Sequence, residues 1–317
     1  MITEESINGF FKDIQVVLSD QKTSESKPVE DELIRSVDDK DGDIRTNVIY
    51  LNTDCNLRCE YCYEENSRNG LPDQYNVTTK QIDEFVQSVK KREKDLNSCI
   101  VVMGGEPTLR FDLLEYLIHR LSTIPKKGGW AVLMTTNAVL LNKEKYLNKL
   151  KNIIRLATHN NILFTTEVSY DCSGQYRRKF PNGANSKYIV EQSMNTLVEH
   201  NIDFCISYTV HSGNYDRLVE DCIYIFEKWP TCNKVSMSFA YKDLDSVSPG
   251  FAFKLKENFL PYAKELFKIY KKPICGVLCG TVCRRCNLED SVGNSYLSPT
   301  SGISYADKET ETAFQQF

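Results

Sequence analysis

Seven of the twelve cysteines in this chain lie in two short runs, and thiols at such spacing can hold metal. The first run is Cys55, Cys59 and Cys62, with three residues between the first two cysteines and two residues between the last two. Three thiolates suit a 4Fe–4S cluster with one iron open to a small molecule, whereas structural zinc normally takes four protein ligands. The second run supplies four thiols, which suit a closed 4Fe–4S cluster or zinc: Cys275, Cys279, Cys283 and Cys286.

The overall composition predicts a folded protein of the cytoplasm, where thiols stay reduced and clustered cysteines more often bind metal than each other. The 317 residues carry a net charge of -4, so no basic excess points to nucleic acid. No stretch approaches the roughly 18 apolar residues of a membrane helix, and the acidic N-terminus does not read as a signal peptide. We expect the five isolated cysteines to be plain buried thiols: Cys99, Cys172, Cys205, Cys222 and Cys232.

Hydrophobic periodicity predicts the elements that position the first run. From about residue 46, six strands alternate with helices: strands at 47–52, 99–103, 131–135, 163–170, 204–210 and 235–241, helices at 79–94, 111–124, 143–154, 186–199 and 215–228. A further helix, bent at Pro261, is predicted at 251–270. Strand–helix repeats imply a parallel sheet, here an α/β partial (β/α)6 barrel of TIM type with chemistry at the carboxyl ends of its strands.

The first cysteine run follows a strand directly and has Tyr61 before its last cysteine. This pattern resembles the signature of the radical S-adenosylmethionine (SAM) superfamily. Later strand ends match in order: Gly104-Gly105-Glu106-Pro107 resembles the family's GGEP motif, Thr136-Asn137 its TNG segment and Ser169-Tyr170-Asp171 its S-x-D-G segment. The chain departs from the last two motifs by placing Ala138 and Cys172 at the glycine positions. The resemblance covers about residues 46–245.

The resemblance implies a 4Fe–4S cluster on Cys55, Cys59 and Cys62, with SAM bound at its open iron. It also implies that SAM is contacted by Tyr61, Gly104, Gly105, Glu106, Asn137, Ser169 and Asp171. Members of this family cleave SAM reductively to a 5′-deoxyadenosyl radical, which removes hydrogen from an unactivated C–H bond. Low-potential electrons for that step imply a flavodoxin or ferredoxin partner.

The sequence after the second run resembles the β-hairpin of the SPASM or twitch extension found in a radical SAM subfamily. Cys286, fifteen intervening residues and Gly302 fit that pattern, but Asp307 stands where the family has cysteine. We therefore expect at most one auxiliary 4Fe–4S cluster, held by the four cysteines of the run. Ligation by Asp307, a zinc site and a metal-free loop are the alternatives. The predicted division is 1–45 (helix and polar linker), 46–245 (core barrel) and 246–317 (linking helix and cysteine-rich C-terminal extension).

Members with such extensions mostly modify peptides or proteins, so the resemblance predicts a peptide or protein substrate. A dehydrogenase or mutase of a small metabolite is the alternative, and a non-catalytic iron–sulfur or zinc protein is the third hypothesis. The 45 residues before the barrel are too short for the winged-helix recognition domain of many peptide maturases. Outside the motifs, His211 and Ser212 are candidates for the pocket lining. Tyr170 and Arg178 are candidates for acid–base residues on the substrate side, although packing and surface charge are the roles expected of them.

Overall fold

The computed structural model describes residues 44–62, 76–95, 97–240, 259, 262–263, 265–276, 295–298 and 302–305. Its centre is a parallel sheet of the six predicted strands. They are β1 (Ile44–Tyr50), β2 (Asn97–Met103), β3 (Trp130–Thr136), β4 (Ile162–Ser169), β5 (Phe204–Val210) and β6 (Cys232–Phe239). The predicted α/β partial barrel is therefore confirmed, and the carboxyl ends of six parallel strands meet at one edge.

A helix follows each of the first five strands, as the periodicity predicts. The helices are α1 (Thr79–Arg92), α2 (Phe111–Thr123), α3 (Glu144–His159), α4 (Lys187–Glu199) and α5 (Leu218–Lys228). In α1, Ile82, Phe85, Val86 and Val89 form one buried face, and Thr78 exchanges capping hydrogen bonds with Gln81. The buried faces of the helices pack on the sheet and build one hydrophobic core.

Three further strands extend the sheet to nine: β7 (Ile274–Gly276), β8 (Ser295–Ser298) and β9 (Gly302–Tyr305). Strand β7 pairs parallel with β6, while β8 and β9 form an antiparallel hairpin whose β8 pairs parallel with β1. Cys275 belongs to β7. The other cysteines of the second run and Asp307 lie outside the described residues. Much of the predicted helix 251–270 does so as well, and its described residues 259, 262–263 and 265–270 are helical.

The isolated cysteines behave as expected of core thiols. Cys172, Cys205, Cys222 and Cys232 are buried, while Cys99 in β2 is half-buried, and burial raises its pKa to about 11. Within the described part of the chain, no helix has the length and apolar character needed to cross a membrane.

Candidate functional site

A cavity of about 230 Å³ opens at the carboxyl ends of the strands. The three thiols of the first run line it together. Its other lining residues come from the cysteine loop and from strand ends across the sheet: Leu57, Tyr61, Met103, Gly104, Gly105, Glu106, Thr135, Thr136, Asn137, Ser169, Arg178, Ser207, Thr209, Ser238 and Ala240. One face of the barrel therefore gathers the first cysteine run and the end of every strand from β2 to β6.

The glycine pair after β2 supports the chain that enters the cysteine loop. A Cβ on Gly105 would lie 2.1 Å from the backbone oxygen of Asp54, and one on Gly104 would lie 2.7 Å from that of Asn52. The Gly105 amide donates to the Asn52 carbonyl at 2.8 Å. Because these contacts involve backbone, a side chain at Gly105 displaces the loop. The glycines thus serve the cysteine loop itself, in addition to any close approach of a ligand.

Asn137 connects the end of β3 to the same loop. Its side-chain amide donates to Asn56 Oδ1 at 2.7 Å and lies 3.6 Å from Cys55 Sγ, while its Oδ1 accepts from the Val139 amide at 3.0 Å. The following residue, Ala138, has φ 59°, so the chain keeps the left-handed backbone at a position where the family motif has glycine. Asn137 is thereby held with its amide against the first cysteine.

Glu106 is a buried carboxylate whose described partners are all uncharged. Its Oε1 accepts from the Thr108 amide at 3.1 Å, from the Thr108 hydroxyl at 2.6 Å and from the Thr136 hydroxyl. Its Oε2 accepts from the Asn137 amide at 2.8 Å. Burial raises the pKa of Glu106, although the hydrogen bonds from these neighbours lower it. The carboxylate is positioned by the ends of β2 and β3, and its charge stays uncompensated among the described residues.

Asp171 lies behind the cavity lining, with an exposed fraction of 0%, and is paired with a cation. Arg178 donates to its two oxygens at 2.8 and 3.1 Å, and the Thr209 amide donates at 2.8 Å. The Tyr61 hydroxyl donates to Asp171 as well. Burial raises the pKa of Tyr61, so this hydroxyl remains a donor. Asp171 therefore fixes Tyr61 and Arg178, two residues that line the cavity.

A short ribbon attaches the cysteine loop to the segment after β4. Cys59 pairs with Arg178 and Arg58 pairs with Lys179 in an antiparallel ribbon of two residues per strand. The Glu60 amide extends it by donating to the Arg177 carbonyl at 3.0 Å. The loop is thus held from both sides of the barrel: by the glycine pair and Asn137 on one side, and by this ribbon on the other.

The structure brings six of the seven predicted SAM-contact residues to the cavity, namely Tyr61, Gly104, Gly105, Glu106, Asn137 and Ser169. The seventh, Asp171, acts through its partners as described above. Tyr170 lies outside the site, as expected of a packing residue: it is fully buried, its ring meets the edge of Trp229 at 5.4 Å, and its hydroxyl donates to Glu191. His211 is buried with its ring 5.6 Å from that of Tyr61, and Ser212 is exposed.

Sequence reasoning missed two parts of the lining. Arg178, expected to carry surface charge, is instead buried and lines the cavity. Ser207, Thr209 and Ser238 add hydroxyls from β5 and β6. The spacing of Ser207 and Thr209 by two residues near the end of a buried strand places both on one face, and this was the available signal.

The donor set of the first cysteine run fits a 4Fe–4S cluster. The three thiols are free of disulfides, half-buried and directed at one cavity. In the described residues, no three His, Cys, Asp or Glu side chains converge closely enough to hold one metal ion. Each thiolate of a 4Fe–4S cluster binds a different iron, so its ligands stand farther apart than those of tetrahedral zinc.

Comparison with known proteins agrees with this geometry. A family model described as the radical SAM superfamily matches residues 49–223. An uncharacterised protein of Methanocaldococcus jannaschii is 27% identical over 179 residues, which are 56% of this chain and 57% of that protein. A probable GTP 3′,8-cyclase of Methanococcus aeolicus is 34% identical over 110 residues, which are 35% of this chain and 34% of the cyclase. The match thus spans less than two thirds of either relative.

Among solved structures, native anSMEcpe with bound AdoMet and Cp18Cys peptide superposes with a TM-score of 0.62. The alignment covers 83% of this chain and 74% of that one at 16% sequence identity. At this identity the likeness shows a shared fold.

Proposed function

The chain belongs to the radical SAM superfamily, and we propose that it cleaves S-adenosylmethionine reductively and modifies a peptide or protein substrate in the cytoplasm. The observation that carries this proposal is the convergence of Cys55, Cys59 and Cys62 with Glu106 on one cavity at the carboxyl edge of the sheet. When a 4Fe–4S cluster and SAM are bound there, they supply a 5′-deoxyadenosyl radical that removes a hydrogen atom from the substrate.

Glu106 is the candidate receptor for the ammonium group of SAM. Glu106 lines the cavity, and its Oε2 accepts one described hydrogen bond, so a lone pair of this oxygen remains for a ligand donor. The charge of the carboxylate is uncompensated, and a cation bound there would lower its raised pKa. Asn137, which donates to Asn56 of the cysteine loop, and Tyr61, which donates to Asp171, would hold the two sides of the loop when SAM is bound.

The charge of the remaining lining favours an uncharged substrate group. Ser207, Thr209 and Ser238 contribute neutral hydroxyls beside Ala240. Arg178 is the one cationic side chain of the described lining, and Asp171 already binds it through two hydrogen bonds. A triphosphate normally requires several cations, whereas a peptide side chain does not. The peptide-bound structural neighbour is consistent with this choice of substrate class.

The catalytic part of the proposal is tested by anaerobic reconstitution with iron and sulfide, followed by SAM and dithionite. We expect iron bound to the first run and 5′-deoxyadenosine above the protein-free background, measured by mass spectrometry. Cys59→Ala should lose both the iron of that cluster and the product. Cys99→Ala is the matched control, because it removes a half-buried thiol outside the cavity. Absence of 5′-deoxyadenosine from the wild-type protein would contradict the proposal.

The proposal also includes one auxiliary 4Fe–4S cluster on Cys275, Cys279, Cys283 and Cys286, in an extension of residues 246–317 beside a core of 46–245. We expect the reconstituted protein to bind the iron of two clusters. Changing Cys279 and Cys283 together to Ala should remove half of that iron. If this variant keeps its full iron content and its turnover of the native substrate, the auxiliary cluster is refuted.

A small metabolite is the second candidate substrate, and the partial match to a GTP 3′,8-cyclase is the observation that favours it. The two candidates are separated by the substrate that accelerates SAM cleavage. Reactions with GTP are compared with reactions containing peptides encoded by small reading frames beside the gene, with scrambled peptides as controls. Faster 5′-deoxyadenosine formation together with loss of hydrogen mass from a peptide supports the leading proposal, and acceleration by GTP supports the second.

A further inference from the structure

The ribbon that carries Cys59 brings the cysteine loop to the protein surface. Cys59 is half-buried, while its neighbours in sequence, Arg58 and Glu60, are exposed. The Arg58 guanidinium donates to the Cys55 carbonyl at 2.8 Å and to the Leu57 carbonyl at 2.7 Å, so its charge lies over the loop. An electron that enters here reaches a cluster ligand through very little intervening protein.

This surface is basic although the whole chain is acidic. The chain has a net charge of -4, whereas the described residues of the ribbon surface are the cations Arg58, Arg177 and Lys179 and one carboxylate, that of Glu60. Glu60 accepts from Arg177 at 3.1 Å and from Lys179, and these bonds lower its pKa. The side chains of Lys179 and Glu60 are 39% and 41% exposed, so a partner can contact both.

An aromatic group completes the same surface. Tyr176 immediately precedes Arg177 and is 47% exposed. Its ring meets that of the buried His211 edge-on at 6.2 Å, and His211 lies 5.6 Å from the ring of Tyr61. Exposed tyrosine beside arginine is typical of protein interfaces, which are enriched in both. We define Arg58, Glu60, Tyr176, Arg177 and Lys179 as the ribbon surface.

We propose that the ribbon surface docks an acidic electron-transfer protein of the flavodoxin type, which reduces the cluster held by the adjacent cysteines. The inference rests on the proposed function, since it supplies the electron that function requires. One electron leaves the reduced flavin and arrives at the cluster, with no covalent bond made or broken. Positive charge on this chain and negative charge on the partner speed association and fix its orientation. The flat Tyr176 ring offers an apolar contact for the exposed flavin edge.

The test uses two variants that break the same ion pair. One makes the ribbon surface more negative, and the other makes it more positive. Lys179→Glu and Glu60→Lys both remove the Lys179–Glu60 pair, which as an exposed pair contributes little to stability. Lys149→Glu, on the exposed face of α3, is the matched control for a charge reversal away from the ribbon. Binding of a reduced acidic flavodoxin to the immobilised protein is measured by surface plasmon resonance. SAM cleavage is measured in parallel with flavodoxin and with dithionite as reductants.

We expect Lys179→Glu to weaken flavodoxin binding about tenfold and Glu60→Lys to strengthen it, with Lys149→Glu unchanged. Flavodoxin-driven cleavage should follow binding, dithionite-driven cleavage should stay within about twofold, and added salt should reduce the differences. Opposite shifts from one broken ion pair exclude a simple folding defect. The milder pair Lys179→Gln and Glu60→Gln should show the same signs with smaller shifts.

The proposal is overturned if both variants shift binding in the same direction, if neither shifts it, or if both reductants lose activity equally. Self-association of the chain that Lys179→Glu abolishes would assign the ribbon surface to a second copy instead. Failure of the proposed function is recognised separately: the wild-type protein would then yield no 5′-deoxyadenosine with dithionite, whatever its affinity for flavodoxin.

Discussion

Glu106 and Asp171 are both buried carboxylates beside the cysteine loop, one after β2 and the other after β4, and their partners differ in charge. Among the described residues, Glu106 accepts from uncharged groups of Thr108, Thr136 and Asn137. Asp171 forms a two-point ion pair with Arg178. An uncompensated buried carboxylate is stabilised by any cation that reaches it, whereas a paired one resists change. The side of the cavity at Glu106 is suited to bind a cationic ligand. The Asp171–Arg178 pair is suited to hold the cysteine loop in place.

The largest expected effect is a loss of stability when the Asp171–Arg178 pair is broken. Asp171→Ala leaves Arg178 buried without its carboxylate, and we expect the free energy of unfolding to fall by about 3–5 kcal/mol. Urea denaturation followed by circular dichroism measures it. Replacing both partners, with Asp171→Leu and Arg178→Met, should cost less than the single change because no charge is left unpaired. If Asp171→Ala lowered the free energy of unfolding by less than about 1 kcal/mol, Asp171 and Glu106 would no longer differ in their contribution to stability.

A change at Glu106, which has no cationic partner among the described residues, should alter the affinity for SAM. Glu106→Gln removes the charge with little change of shape, and we expect the affinity for SAM to fall by at least about 1.5 kcal/mol, or roughly tenfold. Titration calorimetry on the reconstituted protein measures it. Glu191→Gln, outside the cavity and hydrogen-bonded to Tyr170 and Lys228, should leave SAM affinity unchanged. Equal affinity of wild type and Glu106→Gln would contradict the assigned role.

The support beneath the loop is tested at Gly105. Ala at this position places a Cβ 2.1 Å from the Asp54 oxygen, so the loop must move, at a cost of about 1–3 kcal/mol. We expect less iron bound per chain after reconstitution. Gly129→Ala is the control, because the nearest described atom to its Cβ is the Asn97 side-chain oxygen at 3.3 Å. Normal iron content in Gly105→Ala would show that the loop tolerates the displacement.

The pH dependence of stability gives a separate test of Glu106. The folded pKa of Glu106 is raised above its ordinary value of 4.5, so the protonated form is the one that favours folding. Its contribution to the free energy of unfolding is full below the unfolded pKa and is lost as pH rises through the folded pKa. The stability of wild type relative to Glu106→Gln should therefore decline over that interval. Parallel stability curves for the two proteins would exclude a raised pKa at Glu106.

The smallest expected effect concerns Ala138, which follows Asn137 at the end of β3. A non-glycine residue at φ 59° is strained by about 1–2 kcal/mol, and Gly relieves that strain. Gly also loses a buried methyl group worth about 0.8 kcal/mol and gains unfolded-state entropy. We expect Ala138→Gly to change stability by less than about 1 kcal/mol and Ala138→Val to destabilise. Thermal unfolding measures both, and a large loss in Ala138→Gly would indicate that the methyl group packs more tightly than its burial suggests.

Patterns local in the sequence predicted most of the fold and the centre of the site. The six strands, the face of α1 and the cysteine loop each follow from spacing within a few residues. The Asp171–Arg178–Tyr61 cluster could not be foreseen in the same way. Tyr61 and Asp171 are 110 positions apart, and periodicity carries no information about pairs at that separation. Arg178 was therefore expected at the surface, although its carboxylate partner buries it.

The glycine pair shows a subtler limit. A resemblance to family motifs explains Gly104 and Gly105 by the approach of a ligand, but the structure places backbone of the chain itself against them. Contacts of that kind depend on how the loop folds back over β2, which no residue type reports. The strands β7 and β8 pair with opposite ends of the six-stranded sheet for a similar reason: edge pairing is set by unpaired backbone groups rather than by side chains.

The ribbon also has a consequence for biosynthesis. Cys59 pairs with Arg178, which lies 119 positions later in the chain, so the loop lacks this support until translation has passed that point. At about 5–20 residues per second, the first thiols wait roughly 6–24 s before the pairing strand is made. During that interval they are exposed to oxygen and to stray metal ions. Iron–sulfur assembly at this loop is therefore expected to follow translation of at least the first 179 residues, rather than accompany emergence of the cysteines.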